Sequence, residues 1–140
     1  DLSYFLCGWP QELFSRAKGA QDWHKYGSVF TGVGMTAAGT AFSYYANWSS
    51  PGNFGLEINT NHRRLQLSPI EKLQQKLIGE RAFSDVDIDY DLDERFKPGI
   101  FEMVKCFLFE PTNDGLLKIE QQVENCNLYD AMRTGKTDGI

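Results

Sequence analysis

Gly32-Val33-Gly34-Met35-Thr36-Ala37 has the GxGxxA spacing with which a chain can cradle the pyrophosphate of a dinucleotide. That chemistry needs a helix to begin at the glycines, because the phosphates sit on the free N–H groups of its first turn. The next residues are Ala38, Gly39 and Thr40, then Phe42, Tyr44 and Trp48 two or four residues apart, then a Ser49-Ser50-Pro51-Gly52 turn. This pattern leaves no room for a helix, so the glycines are expected to interrupt a strand that runs into a hairpin.

Asp85, Asp87 and Asp89 place carboxylates at alternate positions, as a calcium loop does. The sixth position of such a loop would be Tyr90 instead of glycine, and the twelfth Phe96 instead of glutamate, so a solvated strand face is the preferred reading and no metal ligand is assigned. His24 and His62 lack the spacing that would pair either with a second ligand or a nucleophile, and no GxSxG elbow is present. No catalytic residue is therefore assigned. Asn47-Trp48-Ser49 fits the glycosylation sequon, but the sequon is common by chance and lies within an expected strand, which argues against its use.

The best binding candidates are Tyr45 and Asn47, which a pleated strand points away from Tyr44 and Trp48. Tyr45 and Asn47 offer a hydroxyl and an amide suited to a polyol, and are read as substrate-binding. Tyr44 and Trp48 are read as packing residues at an oligomer interface.

The elements that carry these side chains follow from period and punctuation. Leu2, Phe5 and Leu6 before Gly8 and Pro10 read as the last turns of a helix, and Glu12 to Ala20 as a short strand. Ser28 to Leu67 reads as an antiparallel meander, with Val29, Val33 and Met35, then Phe42, Tyr44 and Trp48, then Phe54, Leu56 and Ile58, then Leu65 and Leu67. Glu71 to Ile78 is ambiguous between strand and helix. Asp85 to Asp93 alternates acidic and apolar residues and reads as a half-exposed strand. A helix is expected to start at Pro98 with an apolar stripe of Phe101, Val104, Phe107 and Leu108. Asn113-Asp114-Gly115 is a turn, and a last helix carries Ile119, Val123, Cys126 and Tyr129 before ending near Gly135. The fold class is thus α+β: an open, predominantly antiparallel sheet with helices on one face and the other face available for oligomerisation.

With 140 residues and 41% hydrophobic content, the chain is expected to form a single domain that buries about two thirds of its unfolded surface. A net charge of −5, from 19 acidic and 14 basic residues, argues against nucleic-acid and anionic-membrane partners. Cys7, Cys106 and Cys126 form no CxxC pair, and no apolar run approaches the ~20 residues of a membrane span. A reducing, cytoplasmic setting is the expectation. The start at Asp1 without methionine, and a first helix that lacks its beginning, lead to the expectation of a processed or truncated N-terminus.

The run Phe42-Ser43-Tyr44-Tyr45-Ala46-Asn47-Trp48-Ser49-Ser50-Pro51-Gly52-Asn53-Phe54-Gly55-Leu56-Glu57-Ile58 resembles the C-terminal domain of the Gfo/Idh/MocA oxidoreductases, the glucose-fructose oxidoreductase and inositol dehydrogenase family. So do Arg63-Arg64-Leu65 leading to Pro69-Ile70-Glu71-Lys72-Leu73, then Phe96-Lys97-Pro98-Gly99, and finally Thr134-Gly135-Lys136. The resemblance covers essentially the whole chain and favours the strand reading of Glu71 to Ile78. It implies a substrate-binding and oligomerisation domain over 1–140, with the NAD- or NADP-binding Rossmann domain of the parent enzyme absent from this chain. It also implies a sugar-like small-molecule substrate and a homodimer or higher homo-oligomer built through the sheet face. In the family the catalytic histidine of a DxxxH segment is often followed by Asp-Leu, and Asp1-Leu2 is similar to that pair. Glu71-Lys72-Leu73 departs from the family's EKP cofactor motif, so neither catalysis nor cofactor binding carries over to residues here. The alternative is a free-standing, sheet-based binding or assembly module without enzymatic activity.

Overall fold

The computed structural model describes residues 2–110 and 115–135. The Asn113-Asp114 part of the expected turn, the end of the chain beyond Gly135 and Asp1 lie outside the described residues. The chain divides into two compact units, the first made of residues 1–52 and 118–140 and the second of residues 53–117. Each is built around an antiparallel sheet, and the architecture is α+β.

In the first unit a helix α1 (Leu2–Cys7) leads into strands β1 (Pro10–Lys18), β2 (Val29–Thr36) and β3 (Ala41–Asn47), which pair in sequence order. The β1–β2 register sets Leu13 opposite Gly34, Ser15 opposite Gly32 and Ala17 opposite Phe30; β2–β3 sets Gly34 opposite Phe42 and Gly32 opposite Tyr44. These residues share one face of the sheet, since side chains alternate along a strand. The long helix α4 (Ile119–Thr134) lies on that face. It buries Leu128 and Asn125 there, beside the buried Leu13 and Ser15, and each leucine contributes about 1.5–3 kcal/mol by leaving water.

Short-range chemistry ends α4 where the sequence indicates. Gly135 takes the left-handed conformation at φ 69°, which glycine adopts without a Cβ penalty, and its N–H donates to the Ala131 carbonyl at 3.0 Å. The Ser15 hydroxyl donates to the Met132 carbonyl at 2.5 Å, satisfying one of the acceptors a helix leaves open at its C-terminus. Helix α1 lies on the same side. Tyr4 meets Phe42 edge-on at 6.4 Å, and its hydroxyl reaches Met132 Sδ at 3.6 Å.

The expected stripe of α4 is displaced. Ile119, Val123 and Cys126 are exposed and Tyr129 largely so, whereas Asn125 and Leu128 face the sheet. The reason is the partner surface: a sheet face holding Ser15 and two glycines accepts a polar side chain and close backbone approach.

The second unit holds strands β4 (Leu56–Asn59), β5 (Arg63–Leu67), β6 (Leu73–Leu77) and β7 (Ser84–Asp85), in that order in its sheet. The meander therefore continues in sequence but changes sheets between β3 and β4. One face carries Leu56, Ile58, Leu65, Leu67 and Leu73; the other carries Glu57, Arg64, Gln66, Gln74 and Lys76. Glu71 to Ile78 contains a strand.

The expected strand from Asp85 to Asp93 stops after Asp85, and Asp91–Arg95 is a helix, α2. Aspartates explain the change. Asp89 Oδ1 accepts from the Asp91 N–H at 3.0 Å, a turn that short carboxylates favour over strand pairing, and Asp91, Asp93 and Glu94 crowd the helix's positive end. Pro98 and Gly99 form a turn held by Asp93 Oδ1 accepting from the Gly99 N–H at 3.0 Å, so helix α3 (Ile100–Phe109) begins two residues after the proline.

Candidate functional site

Alternation along β3 separates the four candidates as the sequence predicts, with Tyr44 and Trp48 on one side and Tyr45 and Asn47 on the other. The side that α1 and α4 cover is the Tyr44 side. Tyr44 lies across Gly32: a Cβ there would come within 2.5 to 2.6 Å of the phenol ring and its oxygen. Its buried hydroxyl makes no hydrogen bond among the described residues. Burial raises the phenol above its ordinary pKa of 10.0, and the adjacent Ser15 hydroxyl opposes the shift. That serine gives its proton to Met132 instead. This placement argues against a subunit contact through Tyr44, because the helices of its own unit already occupy that face.

Among the described residues of the first unit, no helix covers the opposite face. Phe14 stands opposite Val33 and Val33 opposite Ser43, while Thr31 stands opposite Tyr45 and Met35 opposite Ala41. Phe14 is 55% exposed, Val33 54% and Tyr45 69%. At its Pro10–Glu12 edge, where the β1–β2 register shifts, an open depression of about 410 Å³ is lined by Gln11, Glu12, Phe14 and Val33. Arg16 lies 4.5 Å from the Phe14 ring centre. Asn47 is committed to its own turn, its Oδ1 accepting from the Ser49 N–H at 3.0 Å. Tyr45 thus belongs to this exposed face, beside Thr31, and Asn47 to a chain reversal.

The GxGxxA stretch does not fit a pyrophosphate. Gly32 to Thr36 lie in β2, and the turn after them leads to β3 instead of a helix. Gly32 and Gly34 give space to Tyr44 and Phe42, whose rings cross directly over them. Glycine under a cross-strand aromatic is a packing device. No described residue forms a site suited to NAD or NADP through this motif.

The remaining polar candidates are structural. Asp85 pairs with Lys72 Nζ at 3.1 Å and accepts from Gln74 Nε2 at 2.7 Å; the Gln74 hydrogen bond first, then Lys72, hold its carboxyl below the usual value. Arg64 reaches Glu57 at 2.9 Å and Asn59 Oδ1 at 2.9 Å, and Arg63 donates to Gln75 Oε1 at 3.2 Å. His62 sits in the turn between β4 and β5, where its N–H donates to Thr60 Oγ1. Among the described residues no group of three or more His, Cys, Asp or Glu side chains could hold a metal ion. No helix among them is long and apolar enough to cross a membrane.

An aromatic cluster at the other end of this sheet escapes sequence reasoning. The β1–β2 loop folds into a small hairpin in which Gln21 and His24 exchange backbone hydrogen bonds of 2.8 and 3.0 Å, leaving Asp22 and Trp23 at its tip. Trp23 stacks on Trp48, with ring centres 5.1 Å apart and planes 14° from parallel. Phe30 meets Trp48 at 5.1 Å, and His24 meets it edge-on at 5.0 Å. His24 Nδ1 donates to the Gly27 carbonyl at 2.9 Å. Residues 19–27 have no period, so only the aromatic content of Trp23, His24 and Tyr26 marks them.

No protein-family model, curated protein or solved structure matches this chain.

Proposed function

We propose that this chain is the substrate-binding and oligomerisation part of an NAD(P)-dependent, cytoplasmic oxidoreductase acting on a sugar or related polyol. In this reading it contributes assembly and a substrate wall, while hydride chemistry and cofactor binding belong to another domain. The carrying observation is the bare face of the β1–β3 sheet. It bears Phe14 and Val33 as a cross-strand pair, with Met35 and Tyr45 also exposed on it, opposite a face its own helices already cover. Such an apolar patch is what a self-complementary interface needs. A second copy of the chain is its occupant in this reading, with Tyr45 at the interface. The resemblance of Phe42 to Ile58 to the Gfo/Idh/MocA C-terminal domain supports the enzymatic part.

Light scattering tests the assembly: a dimer or higher oligomer is expected, and a strictly monomeric mass at high concentration counts against it. Calorimetry tests the division of labour. Tight stoichiometric NAD(H) binding to this chain alone would place the cofactor site here and refute the reading.

A further inference from the structure

We propose that the open face of Trp23 is a stacking platform for a pyranose ring, a carbohydrate site separate from the Tyr45 surface. Trp23 stacks on Trp48 with ring centres 5.1 Å apart, and Phe30 meets Trp48 at the same distance with its plane tilted by 50°. Trp48 takes one face of Trp23, and the His24 ring lies 5.8 Å from the Trp23 ring, tilted by 50°. Trp23 is 73% exposed and Trp48 47%, a large apolar area to leave in water on an otherwise hydrogen-bonded hairpin.

The platform is held before any ligand arrives. Gln21 Nε2 donates to Ser49 Oγ at 2.8 Å, fastening the hairpin tip to the turn after β3. Trp48 N–H donates to the Ser28 carbonyl at 2.8 Å, and His24 wedges against Trp48 from the side. A ligand that stacks on Trp23 therefore spends little free energy on ordering its site.

The neighbouring groups select the ligand. A pyranose offers one face of C–H groups to an indole and a rim of hydroxyls to acceptors and donors beside it. Asp22 precedes Trp23 in the exposed tip and brings a carboxylate, a group that accepts from paired hydroxyls. A nucleotide or nicotinamide ring could also stack, but its phosphates would meet Asp22 and a chain of net charge −5. Arg133 is engaged with Asp130 at 3.1 Å and lies 4.6 Å over the Tyr26 ring; Lys25, exposed in the same loop as Trp23, is the cation a phosphate would meet, which makes the nucleotide the competing ligand of the test. The proposal does not rest on the oxidoreductase reading, because stacking at Trp23 needs neither a cofactor nor a second subunit.

Ligand-detected NMR titration of the whole chain with methyl β-D-glucopyranoside and with maltotriose tests it, with adenosine monophosphate as the competing aromatic ligand. Saturable sugar binding is expected, weakened about tenfold or more by Trp23→Ala and less by Trp23→Phe. Asp22→Asn keeps the stack intact and is expected to weaken sugar binding without loss of fold. Absence of saturable sugar binding, sugar binding unchanged in Trp23→Ala, or preference for the nucleotide overturns the proposal. Because sugar binding is read here without NAD(H) or dimerisation, its failure is distinguishable from failure of the oxidoreductase reading.

Discussion

Gly32 stands directly opposite Tyr44 in the β2–β3 pair, and the phenol ring of Tyr44 occupies the space a Gly32 side chain would need. This contact turns an apparent nucleotide-binding glycine into a packing position. Gly32→Ala is expected to destabilise the chain by about 1–3 kcal/mol, the cost of overpacking. Combined with Tyr44→Leu, it should lose part of that penalty. Urea unfolding of the two single variants and the double variant measures the coupling; strictly additive effects would show that the ring is not what excludes the methyl group.

The Tyr44 hydroxyl, buried without a hydrogen-bond partner among the described residues, brings desolvation without compensation. Tyr44→Phe should be neutral or stabilising by up to about 1 kcal/mol. The same burial raises the phenol above 10.0. Unfolded chains then ionise this tyrosine first, so its neutral-state preference supports the fold below pH 10.0 and that support is lost as pH rises through the folded value. Alkaline unfolding followed by phenolate absorbance should start at higher pH in Tyr44→Phe than in the parent chain.

Ser15 ties the end of α4 to the sheet through the Met132 carbonyl. Ser15→Ala removes the donor from a buried site and is expected to cost about 1–2 kcal/mol. Hydrogen exchange should show the last turn of α4 opening more readily while the β2–β3 amides stay protected. Equal loss of protection across both would mean the bond supports the whole unit.

Asp85 is depressed by Gln74 and Lys72, so its contribution is present above the unfolded carboxylate range and disappears as pH falls through the folded value. Carboxyl-detected NMR titration should find Asp85 below the usual aspartate value. Gln74→Ala should move it back towards the ordinary value. Since the group is exposed, salt should weaken the Lys72 part of the effect.

Strand positions 29–36 and 41–47 were legible because aromatic and apolar side chains alternate, and that alternation also separated Tyr44 and Trp48 from Tyr45 and Asn47. Which of the two faces the helices would cover was not legible, since it depends on Leu128 and Asn125 arriving from the far end of the chain. The Asp85–Asp93 run has the period of a strand, yet local carboxylate hydrogen bonds at Asp89 and Asp93 decide in favour of turns and a helix. The stacking of Trp23 on Trp48 joins residues from a hairpin tip and a strand end, and no spacing in the sequence encodes it.

The most direct test of the assembly claim is sedimentation equilibrium on the chain and on Val33→Asp, which places a charge at the centre of the bare sheet face. A concentration-dependent dimer or larger oligomer is expected for the parent chain, and a monomer with unchanged circular dichroism for the variant. A monomeric parent chain at every concentration, or an oligomer untouched by the substitution, would contradict it.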